Sequence, residues 1–456
     1  MVALTAPATH MPEAAKCASL SVMVTISTPA LLTDHYELTM LQGALRSGAA
    51  RRRSVFEVFT RRLPEGRRYG VVAGTGRVLE AALAFRFDEE QLAFLERAGV
   101  VDRPTVDWLA DYRFRGSISG YREGECYFPG SPIMTVEGTF AECVLLETVI
   151  LSVLNHDSAI AAAASRMVSA AAGRPCIEMG SRRTHEDAAV ASARAAYLAG
   201  FASTSNLEAG FRYGVPTVGT AAHAFTLVHD SELEAFQTQV STLGKGTTLL
   251  VDTYDVAEAV RIAVDVAGPD LGAVRLDSGD LLWMAHRVRK QLDELGARNT
   301  KIVVTSDLDE YAIAALAAAP VDAYGVGTQL VIGSGAPTSS MVYKLVARAQ
   351  SGEPDAPLVP VAKKSAGKPS LGGRKHAYRR IDEDGVATEE VIATRPRPEL
   401  GRPLIAPLVV DGELVQPVGT LAEARALHQQ SLAQLPLSAV QLSRGDAVIP
   451  TVYEVD

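Results

Sequence analysis

The sequence predicts an α/β protein built around an irregular (β/α) barrel, with a second mixed α/β domain formed by its N-terminal region and C-terminal tail. From about residue 175 to 330, short apolar strands alternate with helical stretches, which implies parallel strands with helical crossovers. At least six consecutive units favour a closed or nearly closed barrel over an open sheet. Gly, hydroxyl and charged residues follow these strands, where α/β proteins bind anionic ligands.

Changes in composition divide the chain into four parts. Residues 1–30 are rich in Ala, Thr, Pro and Ser and lack the basic start and apolar core of a signal peptide, so we expect a disordered lead-in. Residues 31–140 are predicted to form the N-terminal mixed α/β domain, and residues 141–350 the barrel. Residues 351–456 form a tail that we expect to fold back on the N-terminal domain.

The N-terminal region mixes strand and helix patterns. Apolar alternation predicts strands at 54–60 and 69–73. Apolar residues at helical spacing predict three short helices, at 77–85, 89–98 and 105–112. A longer Ala- and Leu-rich pattern over 142–172 predicts a helix that can break near 155–158.

The barrel pattern consists of six short strands separated by loops and helices. The predicted strands lie at 176–179, 217–219, 248–252, 273–277, 302–305 and 323–327. The predicted helices lie at 187–201, 256–266, 281–295 and 308–319. After residue 347 the sequence is polar and rich in Gly and Pro, and a strand at 376–381 and a helix at 421–433 follow.

Composition limits the class of protein. At 456 residues, with 47% hydrophobic and 21% charged residues, the chain is typical of a globular protein that buries a large core. A net charge of −9 argues against a nucleic-acid partner but permits a cationic cleft for a small anion. The apolar runs are too short to cross a membrane, so we expect no membrane partner. The four cysteines show no metal or C-x-x-C spacing, which favours a reduced, cytoplasmic setting.

Two motifs offer groups that bind phosphate. GVGTQL at 325–330 places Gly327 and Thr328 after a strand, where backbone N–H groups and a hydroxyl can hold a phosphate. The alternative is a tight turn without a ligand, because short Gly motifs are common. Arg182 and Arg183 in EMGSRRTHE also follow a strand, so at least one should reach the cleft, unless the two are surface cations.

The motif VRLDSGDL at 274–281 combines a cation and two acids at the end of a strand. Arg275 and Asp277 alternate along the strand and share one face, and Ser278 and Gly279 follow in a turn that we predict to bind substrate. The acid suits ribose hydroxyls or Mg²⁺, and the arginine suits a carboxylate or phosphate. The alternative is an internal ion pair, with Asp280 acting as the cap of the next helix.

Four further candidates come from other motifs. His223 follows Thr220 by three residues in GTAAHAF, although a lone histidine is more often structural. Asp252 in VDTYD suits a ribose or a metal, or helps to cap the helix that begins at 256. Tyr36 in TDHYELTM has the position of an aromatic residue at a helix start.

In their order along the chain, the motifs resemble those of nicotinate phosphoribosyltransferases, of the type II phosphoribosyltransferase group, from about residue 32 to 380. The motifs are TDHYELTM, EMGSRRTHE, TSNLEAG, GTAAHAF, VDTYD, VRLDSGDL, GVGTQL and VYKLV. The resemblance implies the type II barrel and an enzyme that joins nicotinate to 5-phosphoribosyl 1-pyrophosphate. The products would be nicotinate mononucleotide and pyrophosphate, for NAD salvage. ATP would be a co-substrate, hydrolysed through a phosphorylated histidine, with Mg²⁺ as cofactor.

The resemblance also implies roles for the matched residues around the pyridine. His223 matches the phosphorylated histidine, and Thr220 and Arg275 look like nicotinate contacts. Tyr36 resembles the aromatic residue that covers the pyridine ring, which in this group can come from the partner subunit. A homodimer with shared active sites is therefore expected.

On the phosphoribosyl side, the two arginines of EMGSRRTHE resemble phosphate or pyrophosphate contacts. Asp252 and Asp277 look like the ribose and magnesium side, and Gly327 with Thr328 resembles the cradle of the 5-phosphate. Because the pyridine nitrogen attacks the anomeric carbon as pyrophosphate leaves, little proton transfer is needed. Catalysis is expected from positioning and from cationic charge on the leaving group.

Three other functions fit parts of the sequence. A nicotinamide-using enzyme of the same fold group favours Arg-Pro-Asp, where this chain has Arg275, Leu276 and Asp277. A quinolinate-using enzyme needs extra basic residues for a second carboxylate. A non-catalytic sensor of phosphoribosyl ligands would use the same fold, and turnover of nicotinate distinguishes it from the enzymes.

Overall fold

Two sheets of different design organise residues 28–363, 371–415 and 419–454, the part of the chain that the computed structural model describes. One sheet has six parallel strands and the other has seven antiparallel strands, beside smaller sheets of four and two strands. The strands are β1 Arg53–Thr60, β2 Gly70–Val71, β3 Ser117–Tyr121, β4 Cys126–Tyr127, β5 Met134–Thr139, β6 Cys176–Glu178, β7 Ser203–Thr204, β8 Thr248–Leu250, β9 Ala273–Leu276, β10 Lys301–Ser306, β11 Ala323–Val326, β12 Met341–Ala349, β13 Leu358–Pro360, β14 His376–Ile381, β15 Ala387–Ala393, β16 Arg402–Pro403, β17 Ile405–Val410, β18 Glu413–Leu414 and β19 Thr451–Glu454.

The α-helices lie between these strands, mostly in the first three quarters of the chain. They are α1 His35–Ser47, α2 Thr75–Ala84, α3 Glu89–Arg97, α4 Arg103–Ala110, α5 Phe140–Val144, α6 Glu147–Ala170, α7 Glu186–Leu198, α8 Leu207–Tyr213, α9 His223–Leu227, α10 Glu232–Leu243, α11 Val256–Ala267, α12 Leu281–Glu294, α13 Glu310–Ala315, α14 Thr328–Val331 and α15 Leu421–Ala433. In the described part of the chain, no helix is both long enough and apolar enough to span a lipid bilayer.

The parallel sheet is a curled half-barrel in the order β7-β6-β11-β10-β9-β8, with helices between the strands. Its central strands carry apolar residues that are fully buried, among them Leu276, Val304 and Val326. Such runs are typical of parallel strands that are covered on both faces. The irregular (β/α) barrel is thus confirmed, and its curled parallel sheet has β7 and β8 at its two ends.

One predicted barrel strand, at 217–219, is wrong, and one strand was not predicted. Thr217 forms only an isolated parallel bridge with Thr204, and the two residues after it, Val218 and Gly219, belong to no strand. The two-residue strand β7 pairs with β6 in its place. Its sequence, Ser203 and Thr204, has no apolar run that would reveal a strand.

The antiparallel sheet joins the two ends of the chain, in the order β13-β12-β1-β5-β3-β17-β18. Strand β12, which follows the half-barrel, pairs with β1, and the tail strand β17 pairs with β3. The four-stranded sheet has the order β16-β14-β15-β19. The predicted domain boundaries at 140 and 350 stay predictions. The lead-in at 1–30 lies almost entirely outside the described residues.

Helix α6 differs from its prediction at the break. The structure has two helices, α5 and α6, separated at Leu145 and Leu146, and α6 continues without interruption through 155–158. The polar residues at that point have partners outside the helix. Asn155 Oδ1 accepts from Met341 N at 2.8 Å, and buried Asp157 accepts from Arg77 at 2.8 Å. Contacts with residues far away in sequence therefore stabilise the helix at 155–158, where the sequence predicted a break.

Candidate functional site

A polar cavity of about 260 Å³ lies at the carboxyl ends of β6, β9, β10 and β11. It is lined by Met179, Arg182, Arg183, Arg275, Asp277, Thr305, Ser306, Asp307, Gly325, Gly327 and Thr328. Six of these were predicted as site residues from widely separated motifs. Carboxyl ends of parallel strands meet at one edge of a sheet, so the fold brings the motifs together. Three arginines against two aspartates favour an anionic ligand.

Arg275 is the most constrained cation of the cavity. Its Nη1 donates to Thr220 Oγ1 at 3.2 Å, and its Nε is buried without a hydrogen-bond partner among the described residues. Burial lowers the pKa of Arg275, and Arg182 adds to that effect, whereas Asp277 and Asp252 oppose it. A desolvated guanidinium with a free N–H is suited to a carboxylate or phosphate ligand.

Asp252 lies two residues after the end of β8 and fixes the turn that follows β9. Its Oδ2 accepts from the backbone N–H of Asp277 at 3.0 Å and from Ser278 Oγ at 2.6 Å. Its Oδ1 is buried and has no hydrogen-bond partner in the described residues. The helix that begins at Val256 is capped by Asp255, so Asp252 does not serve as that cap. Its free oxygen is available to a ligand or to a neighbouring histidine.

His223 is that neighbour. It begins the short helix α9, and its side chain is 41% exposed. Its Nε2 lies 4.0 Å from Asp252 Oδ1 and 3.9 Å from Asp277 Oδ2, and its Nδ1 lies 3.3 Å from Thr253 Oγ1. A partly exposed imidazole beside two carboxylates can act as an acid, a base or a nucleophile.

The turn after β9 is shaped by a glycine and a cap. Gly279 has a φ of +81°, and a Cβ at this position would lie 2.8 Å from Met284 Sδ. Asp280 accepts from the Trp283 N–H at 3.1 Å and caps α12, as the alternative interpretation held. Ser278 points its hydroxyl at Asp252 and therefore holds the turn in place.

Tyr36 is not one of the residues that line the cavity of its own chain. It is on α1, 44% exposed, and is absent from the residues that line the cavity. Burial raises its pKa to about 12, with further contributions from Glu147, Glu37 and Asp34. The cavity and the tyrosine thus lie on different units of the same chain.

The end of β10 and the residue that follows it contribute side chains for which no site role was predicted. Thr305 donates a hydrogen bond to the Asp277 carboxylate, and Ser306 and Asp307 line the cavity. Ser306 has a φ of +144°, a conformation that L-residues rarely adopt and that is often found at ligand sites. The signal was present in TSDLDE at 305–310, because its polar residues follow a strand as the other motifs do.

His428 is a structural histidine, in contrast to the candidate His223. His428 is buried, with Nε2 2.9 Å from Ser165 Oγ and Nδ1 3.2 Å from the Gly124 carbonyl. Burial lowers the pKa of His428 to about 4, so this histidine is neutral at physiological pH. Its role is structural.

The carboxylates of the cavity fit one kind of metal site. Within the described ranges, no three or more His, Cys, Asp or Glu side chains converge as a metal-binding cluster. Mg²⁺ does not require such a cluster, because it is commonly bound by one or two carboxylates together with substrate phosphates and water. Asp277 and Asp307, both on the cavity wall, fit that requirement.

Comparisons with known proteins give a consistent result. The nicotinate phosphoribosyltransferase N-terminal domain family matches residues 31–155. The nicotinate phosphoribosyltransferase pncB1 of Mycobacterium tuberculosis is 58% identical over 433 residues, covering 92% of this chain and 94% of that protein.

Solved structures agree at the level of the fold. The human nicotinic acid phosphoribosyltransferase superposes with a TM-score of 0.76 at 27% identity, covering 93% of this chain and 97% of that one. The nicotinate-nucleotide pyrophosphorylase of Pyrococcus furiosus gives a TM-score of 0.74 at 26% identity, over 91% and 98% of the two chains.

Proposed function

The chain belongs to the nicotinate phosphoribosyltransferase family, and from that premise we propose that it joins nicotinate to 5-phosphoribosyl 1-pyrophosphate in NAD salvage. The products are nicotinate mononucleotide and pyrophosphate, and ATP hydrolysis is coupled through a phosphohistidine at His223. One observation carries the proposal: a cavity rich in arginine adjoins an accessible histidine that lies between two carboxylates.

Arg275 and Thr220 bind the nicotinate carboxylate in this proposal. The support is the buried Arg275 Nε, which has no partner among the described residues, beside an Nη1 that already donates to Thr220. A carboxylate would accept from both sides of the guanidinium and pair with its charge. The amide of nicotinamide is neutral and would leave the desolvated cation poorly satisfied.

The phosphoribosyl pyrophosphate lies along the rest of the cavity. Arg182 and Arg183 contact pyrophosphate oxygens, and Gly327 with Thr328 holds the 5-phosphate through a backbone N–H and a hydroxyl. Asp252, which fixes the turn of Ser278 and Gly279, faces the ribose together with Asp277. Charge complementarity between three arginines and the polyanionic substrate supports this placement.

Mg²⁺ would be held by Asp277 and Asp307, which line the same wall of the cavity. When bound, the metal would neutralise charge on the pyrophosphate. The protein's own part in transfer is to orient the pyridine nitrogen toward the anomeric carbon. The nitrogen–carbon bond forms as the bond to pyrophosphate breaks, and the carboxylate of Asp277 favours positive charge that develops on the ribose.

His223 accepts the γ-phosphoryl group of ATP, releasing ADP, and water later removes the phosphate. Support comes from its exposure and from Thr253, whose hydroxyl holds one ring nitrogen. A phosphate on the ring adds about −1.5 to −2 charges, by analogy with other phosphorylated side chains, beside Asp252 and Asp277. Nearby arginines or the metal must offset that charge, so phosphorylation favours complexes that carry cations in the cleft.

A homodimer with shared active sites completes the proposal. Tyr36 is exposed and does not line its own cavity, and the segments that follow β7 and β8 of the half-barrel carry exposed apolar side chains. They include Leu207, Phe211, Leu227, Val228 and Tyr254. Exposed apolar surface of this kind marks protein interfaces. Two-fold symmetry would place each Tyr36 over the partner's pyridine, and stacking there adds about 0.5–1.5 kcal/mol.

The enzyme acts in the cytoplasm in this proposal. Cys126, Cys143 and Cys176 are free and buried, and burial raises the pKa of the Cys126 and Cys176 thiols to about 12. Such thiols are unreactive, which suits a reducing compartment.

One assay tests the function: formation of nicotinate mononucleotide from nicotinate and phosphoribosyl pyrophosphate, with and without ATP. We expect product from nicotinate and stimulation by ATP. Parallel reactions with nicotinamide and quinolinate separate the related enzymes. Binding of phosphoribosyl pyrophosphate without turnover of any pyridine would identify a sensor and contradict the proposal.

A further inference from the structure

A hydrogen-bonded chain of side chains lies directly behind the turn that carries Arg182 and Arg183. It begins at Glu178, the last residue of β6, whose side chain is completely buried. One carboxylate oxygen of Glu178 accepts from the Gly180 N–H, and the other accepts from the Thr204 hydroxyl. A buried carboxylate with an N–H and a hydroxyl as partners fixes both of them, because losing either bond would leave a buried polar group unsatisfied.

Thr204, the first residue of TSNLEAG, connects Glu178 to Asn206. Its Oγ1 accepts from the Asn206 N–H at 2.9 Å, and the side-chain Nδ2 of Asn206 donates to Ser181 Oγ at 3.0 Å. The contacts form a closed path from Glu178 through TSNLEAG back to the residue that precedes Arg182. TSNLEAG was singled out in the sequence but contributes no residue to the cavity wall.

Gly180 packs the same turn against the segment that follows the neighbouring strand β11. A Cβ on Gly180 would lie 2.2 Å from Val331 Cγ1 and 3.1 Å from the Gly327 carbonyl oxygen. The backbone of the arginine turn therefore packs directly against α14 and Gly327. A small rotation of the turn would move both arginines relative to Gly327 and Thr328.

Resting on the proposed function, we propose that Glu178, Thr204, Asn206 and Ser181 form a positioning network that sets the arginine turn for the pyrophosphate group of the substrate. Neither Glu178 nor Asn206 touches the ligand. They act through Gly180 and Ser181, which determine where Arg182 and Arg183 stand in the cavity. The network should affect the pyrophosphate end of the substrate and leave the nicotinate end, at Arg275, unchanged.

Asn206 and Ser181 allow a clean test. Asn206 Oδ1 also caps α8 by accepting from Ala209 N at 2.9 Å, so Asn206→Ser is chosen because serine keeps a cap while its hydroxyl is too short to reach Ser181. Ser181→Ala removes the other partner. Ser205→Ala, an exposed serine in the same loop, is the matched control.

The first measurement is the affinity for inorganic pyrophosphate by calorimetry, which requires no turnover. We expect Asn206→Ser and Ser181→Ala each to weaken binding about three- to tenfold, and the double variant to be no weaker than either single one. Ser205→Ala should bind as the wild type does. Equal binding by all variants, or effects that multiply in the double variant, would overturn the inference.

The second measurement compares how each variant changes the KM for the two substrates. The KM for phosphoribosyl pyrophosphate should rise by the same factor, with the KM for nicotinate and the melting temperature unchanged. A joint rise of both KM values with a lower melting temperature would identify a merely structural role. Thr204→Ser should bind pyrophosphate as the wild type does, whereas Thr204→Val should bind it more weakly, since only serine keeps the hydroxyl that joins Glu178 to Asn206.

The two proposals fail in different ways. If the wild type binds pyrophosphate but forms no nicotinate mononucleotide, the proposed function fails and the network is judged by binding alone. If the wild type forms product yet the variants bind pyrophosphate normally, the network fails and the function stands. A wild type that binds no pyrophosphate overturns the network, because the turn would then hold no such ligand.

Discussion

The ligand edge of the half-barrel and the antiparallel sheet differ in how their buried cations are paired. In the antiparallel sheet and the tail packed beside it, buried cations are paired with carboxylates: Lys375 donates to both oxygens of Glu57 at 2.9 Å, and Arg379 donates to Glu390 at 2.8 Å, although Arg379 Nε and Nη1 have no hydrogen-bond partner in the described residues. At the ligand edge of the half-barrel, Arg275 Nε and Asp252 Oδ1 are buried without partners in the described residues. An unmatched buried polar group costs about 1–3 kcal/mol, which a ligand can return on binding.

The difference indicates which part of the chain can bind a charged ligand. At the ligand edge, Arg275 donates, among the described residues, only to the neutral hydroxyl of Thr220, whereas Lys375 and Arg379 each have a carboxylate partner. One residue does not fit this division. Tyr36 is on α1, which packs against the antiparallel sheet, yet its proposed role is at the ligand edge of a half-barrel. Variants at the ligand edge should therefore change activity, and variants beside the antiparallel sheet should change stability, with Tyr36 as the exception.

His223→Ala should abolish ATP hydrolysis and leave some ATP-independent transfer, because the cavity itself is untouched. In the wild type, ATP and Mg²⁺ should deposit an acid-labile phosphate on His223. Labelling with radioactive ATP and an ATP hydrolysis assay measure both effects. His229→Ala is the control, since His229 contacts the Phe225 carbonyl rather than the carboxylates. Label on another residue, or full hydrolysis by the mutant, would refute the assignment.

Mixing two inactive variants tests the placement of Tyr36. Tyr36→Ala chains and Asp277→Ala chains should together regain up to about a quarter of wild-type activity, because half the dimers would be mixed and each would carry one intact site. Activity after subunit exchange is the measurement, and each variant incubated alone is the control. No recovery despite proven exchange would mean that Tyr36 acts within its own chain or has no role.

Nicotinate should be used at least about tenfold better than nicotinamide, because losing the pairing of a carboxylate with Arg275 costs about 1.5–3 kcal/mol. Arg275→Lys should lose much of the activity, since lysine keeps the charge but lacks the planar fork. The comparison of kcat/KM for both substrates measures this preference. Arg261→Lys on the surface should have no effect. Equal use of the two pyridines would contradict the assignment of Arg275.

Glu37 should make the antiparallel unit less stable as the pH rises. Burial raises the pKa of Glu37 to about 7 from an ordinary value of 4.5, although hydrogen bonds from Thr148 and Thr33 oppose the shift. The folded protein therefore binds more protons than the unfolded chain between these values, and stability falls as the pH rises from about 4.5 to 7. Glu37→Gln should flatten this decline in melting temperature. Exposed Glu353→Gln is the control, and an unchanged slope would contradict the prediction.

The sequence predicted the elements in which the apolar spacing and the residue types indicate the same structure. Strand β14 and helix α15 have the predicted bounds, and the polar loops after β6, β9 and β11 meet at one cavity as expected. Strand β7 could not be found, because two polar residues give no period. The break before α6 was misplaced, because the partners of Asn155 and Asp157 lie far away in sequence.

The candidate site was predictable in its residues but not in its geometry. Arg275 and Asp277 were expected to share one face, and both line the cavity. That Asp252 supports the turn of Ser278, and that its other oxygen faces His223, required the loops to be placed in space. Thr305 was overlooked because its effect depends on contact with Asp277 from a neighbouring strand.

The pairing of β1 with β12 has a consequence for the order of folding. The ribosome delivers β1 early and β12 only after the entire half-barrel, so β1 can pair with β5 long before its second neighbour exists. Until then one edge of β1 exposes unpaired N–H and carbonyl groups, a template for pairing with other chains. The half-barrel must collapse quickly enough to bring β12 to that edge. During synthesis, the half-barrel therefore determines how long the nascent N-terminal strands remain open to aggregation.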